Sequence, residues 1–136
     1  KLIHVMKENG ATCVLVSGGF TYFTGAIAKK VGFHHHHGNE LHNDGTSLLG
    51  TVGDPILDKD SKLKFLQTYA ETLNVNLSET VAIGDGANDL PMLQAAGLGI
   101  GYRARPVLQE NLLNILQFAD LTGVLYAQGH KNITAA

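Results

Sequence analysis

The sequence predicts an α/β fold, a doubly wound parallel sheet with helices on both faces. Three observations predict it. Short apolar runs of strand length, over residues 12–16, 80–83 and 98–102, alternate with longer segments whose apolar residues recur at helical spacing. The runs are almost continuously apolar, as expected of strands covered on both faces. Glycines then cluster where strands should hand over to helices, at Ser17-Gly18-Gly19 and Gly84-Asp85-Gly86.

In order, Leu2, Ile3, Val5 and Met6 form the apolar face of an opening helix that Gly10 stops. Thr12 to Val16 follows as a buried strand ending in the turn Ser17-Gly18-Gly19. Phe20, Phe23, Ile27, Ala28 and Val31 recur at helical spacing until Gly32 closes that helix. His34-His35-His36-His37 reads as a solvated loop, and four adjacent side chains could not converge on one ion even from a strand. Residues 38–53 hold two extended runs around Asn43-Asp44-Gly45, so a small β-hairpin insertion is expected. From Ser61, a second amphipathic helix is traced by Leu63, Leu66, Tyr69, Ala70 and Leu73. A strand over 80–84, a helix over 88–96, a strand over 98–102, a helix begun by Pro106 and a last apolar piece over 118–126 complete the order. With no repeat or low-complexity linker, the 136 residues are expected to form a single domain.

A net charge of −2 argues against a general nucleic-acid or polyanion binder. Cys13 is the only cysteine, so no internal disulfide can form; within an apolar run it reads as a core thiol rather than a nucleophile. No apolar run approaches the length of a membrane span, and no signal peptide is visible in a chain that opens on a helical pattern.

The chemistry concentrates in Gly84-Asp85-Gly86-Ala87-Asn88-Asp89-Leu90-Pro91-Met92-Leu93. Asp85 and Asp89 lie just past a strand's carboxyl end, in the turn that opens a helix, where open α/β sheets place their ligands. Two carboxylates separated by small residues suit Mg²⁺, which is commonly held by one or two carboxylates plus phosphate and water. The plainer alternative is a Gly-Asp turn in which Asn88 or Asp89 caps the helix. Ser17-Gly18-Gly19 offers a hydroxyl and free backbone amides at a helix amino end, a phosphate cradle or merely a serine cap beside a flexible turn. Lys62 faces the unfavourable end of its helix dipole unless an anion compensates it; a solvated surface lysine is the alternative. Lys64 is read as such a solvated lysine.

The ten-residue string from Gly84 resembles the fourth motif of the haloacid dehalogenase (HAD) superfamily of phosphohydrolases. Ser17 is similar to the strand-end hydroxyl of the second motif, and Lys62 to the third-motif lysine. The resemblance implies a Rossmann-type three-layer α/β/α core, here incomplete. The interval from Ser17 to Lys62 holds only a helix and a hairpin, too little for a large inserted cap. That favours the branch with a small cap between the first and second motifs. Phosphoserine phosphatases belong to that branch and share Ser17-Gly18-Gly19-Phe20, and the resemblance to them runs through nearly the whole chain.

What this resemblance implies is Mg²⁺-dependent hydrolysis of a small phosphorylated substrate, phosphoserine foremost, in cytoplasmic L-serine biosynthesis, with neither nucleic acid nor membrane as partner. Asp85 would hold the metal. Asp89 would support the metal's water shell or orient Lys62. Ser17, Gly18 and Gly19 would grip phosphoryl oxygens, Lys62 would neutralise the crowded charges, and Asn88 would position the phosphate or Lys62. The superfamily's first motif, which carries the nucleophile, has one imitation here, Asp58-Lys59-Asp60. It follows a poor strand, and the two acids read better as helix caps. The expectation is therefore a carboxyl-terminal fragment, inactive alone, that would pair with a missing amino-terminal segment or a second chain. Another small-molecule phosphatase of the same cap type, or a non-catalytic module binding Mg²⁺, phosphate or a partner, remains as an alternative.

Overall fold

A computed structural model describes residues 1–39, 41–43, 48–52 and 59–129. These fall into two compact units, within Lys1–Leu57 and Asp58–Thr134.

The first unit opens with helix α1 (Leu2–Glu8), released at Gly10, whose φ of +84° a side chain would resist. Strand β1 (Val14–Phe20), helix α2 (Thr21–Val31) and strand β2 (His35–Asn39) make a parallel βαβ unit. Gly32 ends α2 in the left-handed conformation, and Lys7 Nζ donates to its carbonyl at 2.8 Å. The buried face of α2 carries Thr24 and Ala28, whereas Phe23, Ile27 and Val31 are exposed. Strands β3 (Leu41–Asn43) and β4 (Leu48–Val52) form the expected antiparallel hairpin. Its turn signal lies, beyond Asn43, outside the described residues.

Two expectations need correction in this unit. Ser17-Gly18-Gly19 is not a turn: β1 continues through it to Phe20, with a shift of register between Val16 and Phe20. His35–His37 is not a loop, because Val14, Leu15 and Val16 pair in register with His35, His36 and His37. The reason is that β2 is held by its backbone ladder and by ring nitrogens rather than by apolar burial. Cys13 N–H donates to His34 Nδ1 at 2.9 Å, and His36 Nδ1 lies 2.9 Å from Thr24 Oγ1 on α2. A strand built this way leaves no hydrophobic pattern in the sequence.

The second unit is a parallel three-stranded sheet in the order β5 (Val81–Gly84), β6 (Leu98–Tyr102), β7 (Ile115–Leu116). Helix α4 (Leu90–Ala95) connects β5 to β6, and α5 (Pro106–Asn111) connects β6 to β7. Helix α3 (Lys59–Thr72) packs against α4, and a short helix α6 (Gly123–Ala127) buries Val124 and Leu125. The core is Ala82, Leu93, Ala104 and Leu108, flanked by Leu90, Met92, Ala96, Leu112 and Ile115. Ala82, Leu90, Leu93 and Ala96 belong to the predicted strand and helix patterns, whereas Ala104 comes from the connection between β6 and α5; β5 and β6 run within the predicted strand ranges. No helix among the described residues is long and apolar enough to cross a membrane.

Candidate active site

The site is built around the turn that leaves β5. Asp85 follows the strand's last residue, and Ala87–Asp89 forms one 3₁₀ turn that leads into α4. The Asp89 side chain makes no capping bond to α4. It folds back instead, and Oδ2 accepts the backbone N–H groups of Asp85 at 3.0 Å and Gly86 at 3.2 Å. Oδ1 accepts from Lys62 Nζ at 2.6 Å. One carboxylate thus fixes the turn and holds the lysine together.

Both members of this pair are buried, Lys62 at 8% and Asp89 at 5% exposure. A charge taken out of water is costly unless it is paired and its remaining hydrogen-bonding capacity is satisfied. Here two backbone amides complete the carboxylate's shell, and its charge compensates a lysine placed near the amino end of α3, where the helix dipole opposes it. Lys64, by contrast, is exposed.

Gly84 is what lets Asp89 fold back. A Cβ at position 84 would stand 2.5 Å from Asp89 Cβ and 2.6 Å from its Cγ, closer than atoms approach. Asp85 itself is exposed and, among the described residues, its carboxylate carries no ion pair. Asn88 is exposed on the same turn. The arrangement therefore separates two carboxylates, one consumed by the protein and one open to solvent at the carboxyl end of a parallel strand. The helix-cap alternative holds only in part: Asp89 accepts the Gly86 N–H at the start of the 3₁₀ turn but makes no capping bond to α4.

In the first unit, Gly19 N–H donates to Ser17 Oγ at 3.0 Å, so that amide is already engaged. Gly18 is open on the side where a Cβ would stand. Its carbonyl accepts from Asn39 Nδ2 at 2.8 Å, and Asn39 is only 8% exposed. Asn39 thus tethers the Ser-Gly-Gly segment from β2. The sequence reading missed it, because a lone asparagine beside a histidine run carries no motif. Cys13 is buried, and burial raises its thiol above the usual range with only partial relief from Lys7, so it is a poor nucleophile. Asp60 lies inside α3 rather than after a strand, and Asp58 is outside the described residues. No group of three or more His, Cys, Asp or Glu side chains able to hold a metal occurs among the described residues.

The turn after β5 presents an open carboxylate beside a buried pair made with a lysine from α3, an arrangement chemically able to meet the negative oxygens of a phosphoryl group. The haloacid dehalogenase-like hydrolase family model matches residues 1–94, and the chain belongs to that family. The phosphoserine phosphatase of Streptomyces coelicolor is 41% identical over 128 residues, covering 94% of this chain and 31% of that protein. That of Lactococcus lactis is 37% identical, with 88% of this chain and 59% of that protein covered. Among solved structures, a probable phosphoserine phosphatase from Vibrio cholerae superposes with a TM-score of 0.88 at 35% identity, over 91% of this chain and 38% of that one. A phospho-aspartyl intermediate analogue of phosphoserine phosphatase gives 0.85 at 34%, over 93% of this chain and 60% of that one. The chain spans between 31% and 59% of the length of these two curated relatives.

Proposed function

We propose that this chain is the phosphoryl- and metal-handling part of a Mg²⁺-dependent phosphomonoester hydrolase whose substrate is O-phosphoserine, cleaved to serine and phosphate. The observation that carries this reading is the open Asp85 carboxylate beside the buried Lys62–Asp89 pair. The names borne by relatives such as those of Streptomyces coelicolor and Lactococcus lactis support the choice of substrate.

The donors fit Mg²⁺. Asp85 offers a hard oxygen with no ion pair among the described residues, whereas the oxygens of Asp89 already serve Lys62 and two amides. Asp85 would hold the ion directly, and Asp89 would stand behind it as the residue that positions Lys62. When bound, Mg²⁺ offsets negative charge on the phosphoryl oxygens. Lys62 presents a fixed ammonium to the same charge, and a donor already in place costs no reorganisation during reaction. Ser17 and the Gly18 and Gly19 segment would bind the remaining phosphoryl oxygens, with Asn88 orienting the phosphate. In this reading the two units belong to one hydrolase core, located in the cytoplasm and serving serine synthesis.

In this reading the aspartate that would attack phosphorus is not supplied by this sequence: Asp60 lies inside α3 rather than after a strand, and the two acids of Asp58-Lys59-Asp60 read as helix caps. The 136 residues alone are therefore expected to be inactive, and an amino-terminal segment or a second chain would complete the site. The test is phosphate release from phosphoserine by the full-length gene product, with Mg²⁺ and with excess EDTA, beside the isolated chain. Mg²⁺-dependent release by the full-length protein alone is the expected result. Turnover by the purified isolated chain would overturn the assignment of the missing nucleophile.

A further inference from the structure

Arg105 has no part in the reading above, yet the fold goes to some length to place it. After β6 the chain reverses at Arg103, a residue with a side chain held at φ +44°. An L residue is rare in that region and persists there only when its surroundings force it. The surroundings do so through four bonds. Arg103 N–H donates to the Leu116 carbonyl at 2.8 Å, and Ala104 N–H to Gln117 Oε1 at 2.5 Å. Gln109 Nε2 donates to the Ala104 carbonyl at 2.8 Å. Finally, Arg105 N–H donates to the Asp85 carbonyl at 3.0 Å. The Arg103 guanidinium is occupied over the Tyr102 ring, 5.2 Å from its centroid. The Arg105 side chain is exposed and carries no ion pair among the described residues.

The strained reversal thus ties the backbone N–H of Arg105 to the carbonyl of the residue that carries the open carboxylate, so an exposed arginine with no ion pair among the described residues is anchored next to Asp85. We propose that Arg105 is an anion-binding residue of the Asp85 site that contacts an oxyanion of the substrate. A guanidinium presents its donors in a planar fork that matches carboxylate or phosphate oxygens. A rigid backbone lowers the entropy lost when the side chain engages. This inference rests on the proposed hydrolase reading, and its test separates the two.

The full-length protein, Arg105→Ala and Arg105→Lys would be compared by KM and kcat for phosphoserine and for p-nitrophenyl phosphate, and by calorimetric titration with inorganic phosphate. Arg105→Ala should weaken phosphoserine binding by about tenfold or more, the loss expected for one hydrogen bond between charged partners. Arg105→Lys, which keeps the charge without the fork, should recover only part. If inorganic phosphate weakens in parallel, the oxyanion is the phosphoryl group. If only phosphoserine weakens, it is the carboxylate. Unchanged constants for all three ligands would overturn the inference. Absence of any hydrolysis by the unaltered protein would instead overturn the hydrolase reading, while the phosphate titration would still decide the role of Arg105.

Discussion

Lys62 Nζ lies 2.6 Å from Asp89 Oδ1, and both side chains are almost withdrawn from water. The two residues are far apart in the chain and come from different elements, α3 and the turn after β5. Because Oδ2 of the same carboxylate holds the Asp85 and Gly86 amides, the position of the lysine and the shape of the Asp85 turn are one mechanical unit. Disturbing either residue disturbs both the charge balance and the geometry.

Removing the lysine leaves a buried carboxylate without its counter-charge. Lys62→Met should therefore destabilise the protein by roughly 3 kcal/mol, in the range found when one partner of a buried pair is deleted. It should also abolish most phosphatase activity in the full-length protein. Lys64→Ala, on the exposed side of the same helix, should change stability by less than about 0.5 kcal/mol. Urea denaturation of the two variants checks this, and equal effects would show that α3 presents the wrong lysine to the turn.

Gly84 carries a second prediction. With the hypothetical Cβ at 2.5 Å from Asp89 Cβ, Gly84→Ala forces the Asp89 side chain or the strand end to move. The expected cost is about 1–3 kcal/mol of overpacking, together with a large fall in kcat. A crystal structure of the variant should show the Lys62–Asp89 contact lengthened or lost. An unchanged contact would mean that β5 has room the present geometry does not show.

Asp85 should behave in the opposite way on stability. It is exposed and unpaired among the described residues, so Asp85→Asn should shift stability by less than about 0.5 kcal/mol. It should nonetheless cost the full-length protein most of its activity and its response to Mg²⁺, because one hard anionic donor becomes neutral. Paired stability and activity measurements separate a ligand from a structural carboxylate.

The second unit was far more legible in the sequence than the first. Val81–Gly84 and Leu98–Tyr102 are apolar runs that read as strands, the string from Gly84 resembles a known motif, and Lys62 stands out by its place at the unfavourable end of a helix dipole. Three features left no such mark. β2 is a strand of histidines held by its ladder and by ring nitrogens. Phe23, Ile27 and Val31 keep helical spacing yet stay exposed on α2, so periodicity gave the helix but not its buried face. Asn39 Nδ2 and the Arg105 N–H donate to the distant backbone carbonyls of Gly18 and Asp85, a relation that no local pattern encodes.

The histidine strand yields a prediction of its own. Burial, with the neighbouring charges of His35 and His36, lowers the pKa of His37 below its ordinary value of 6.5. On unfolding, that value is restored, so the unfolded chain takes up a proton at a pH where the folded one does not. Above pH 6.5 both forms are neutral at this position and the group's contribution is fully present; as pH falls through 6.5 toward the lower folded value, stability is lost. Urea denaturation should therefore show a smaller unfolding free energy at pH 5 than at pH 7.5. His37→Asn should reduce that difference by removing one proton-uptake site. If His37→Asn left the pH dependence unchanged, the loss would have to arise from groups other than His37.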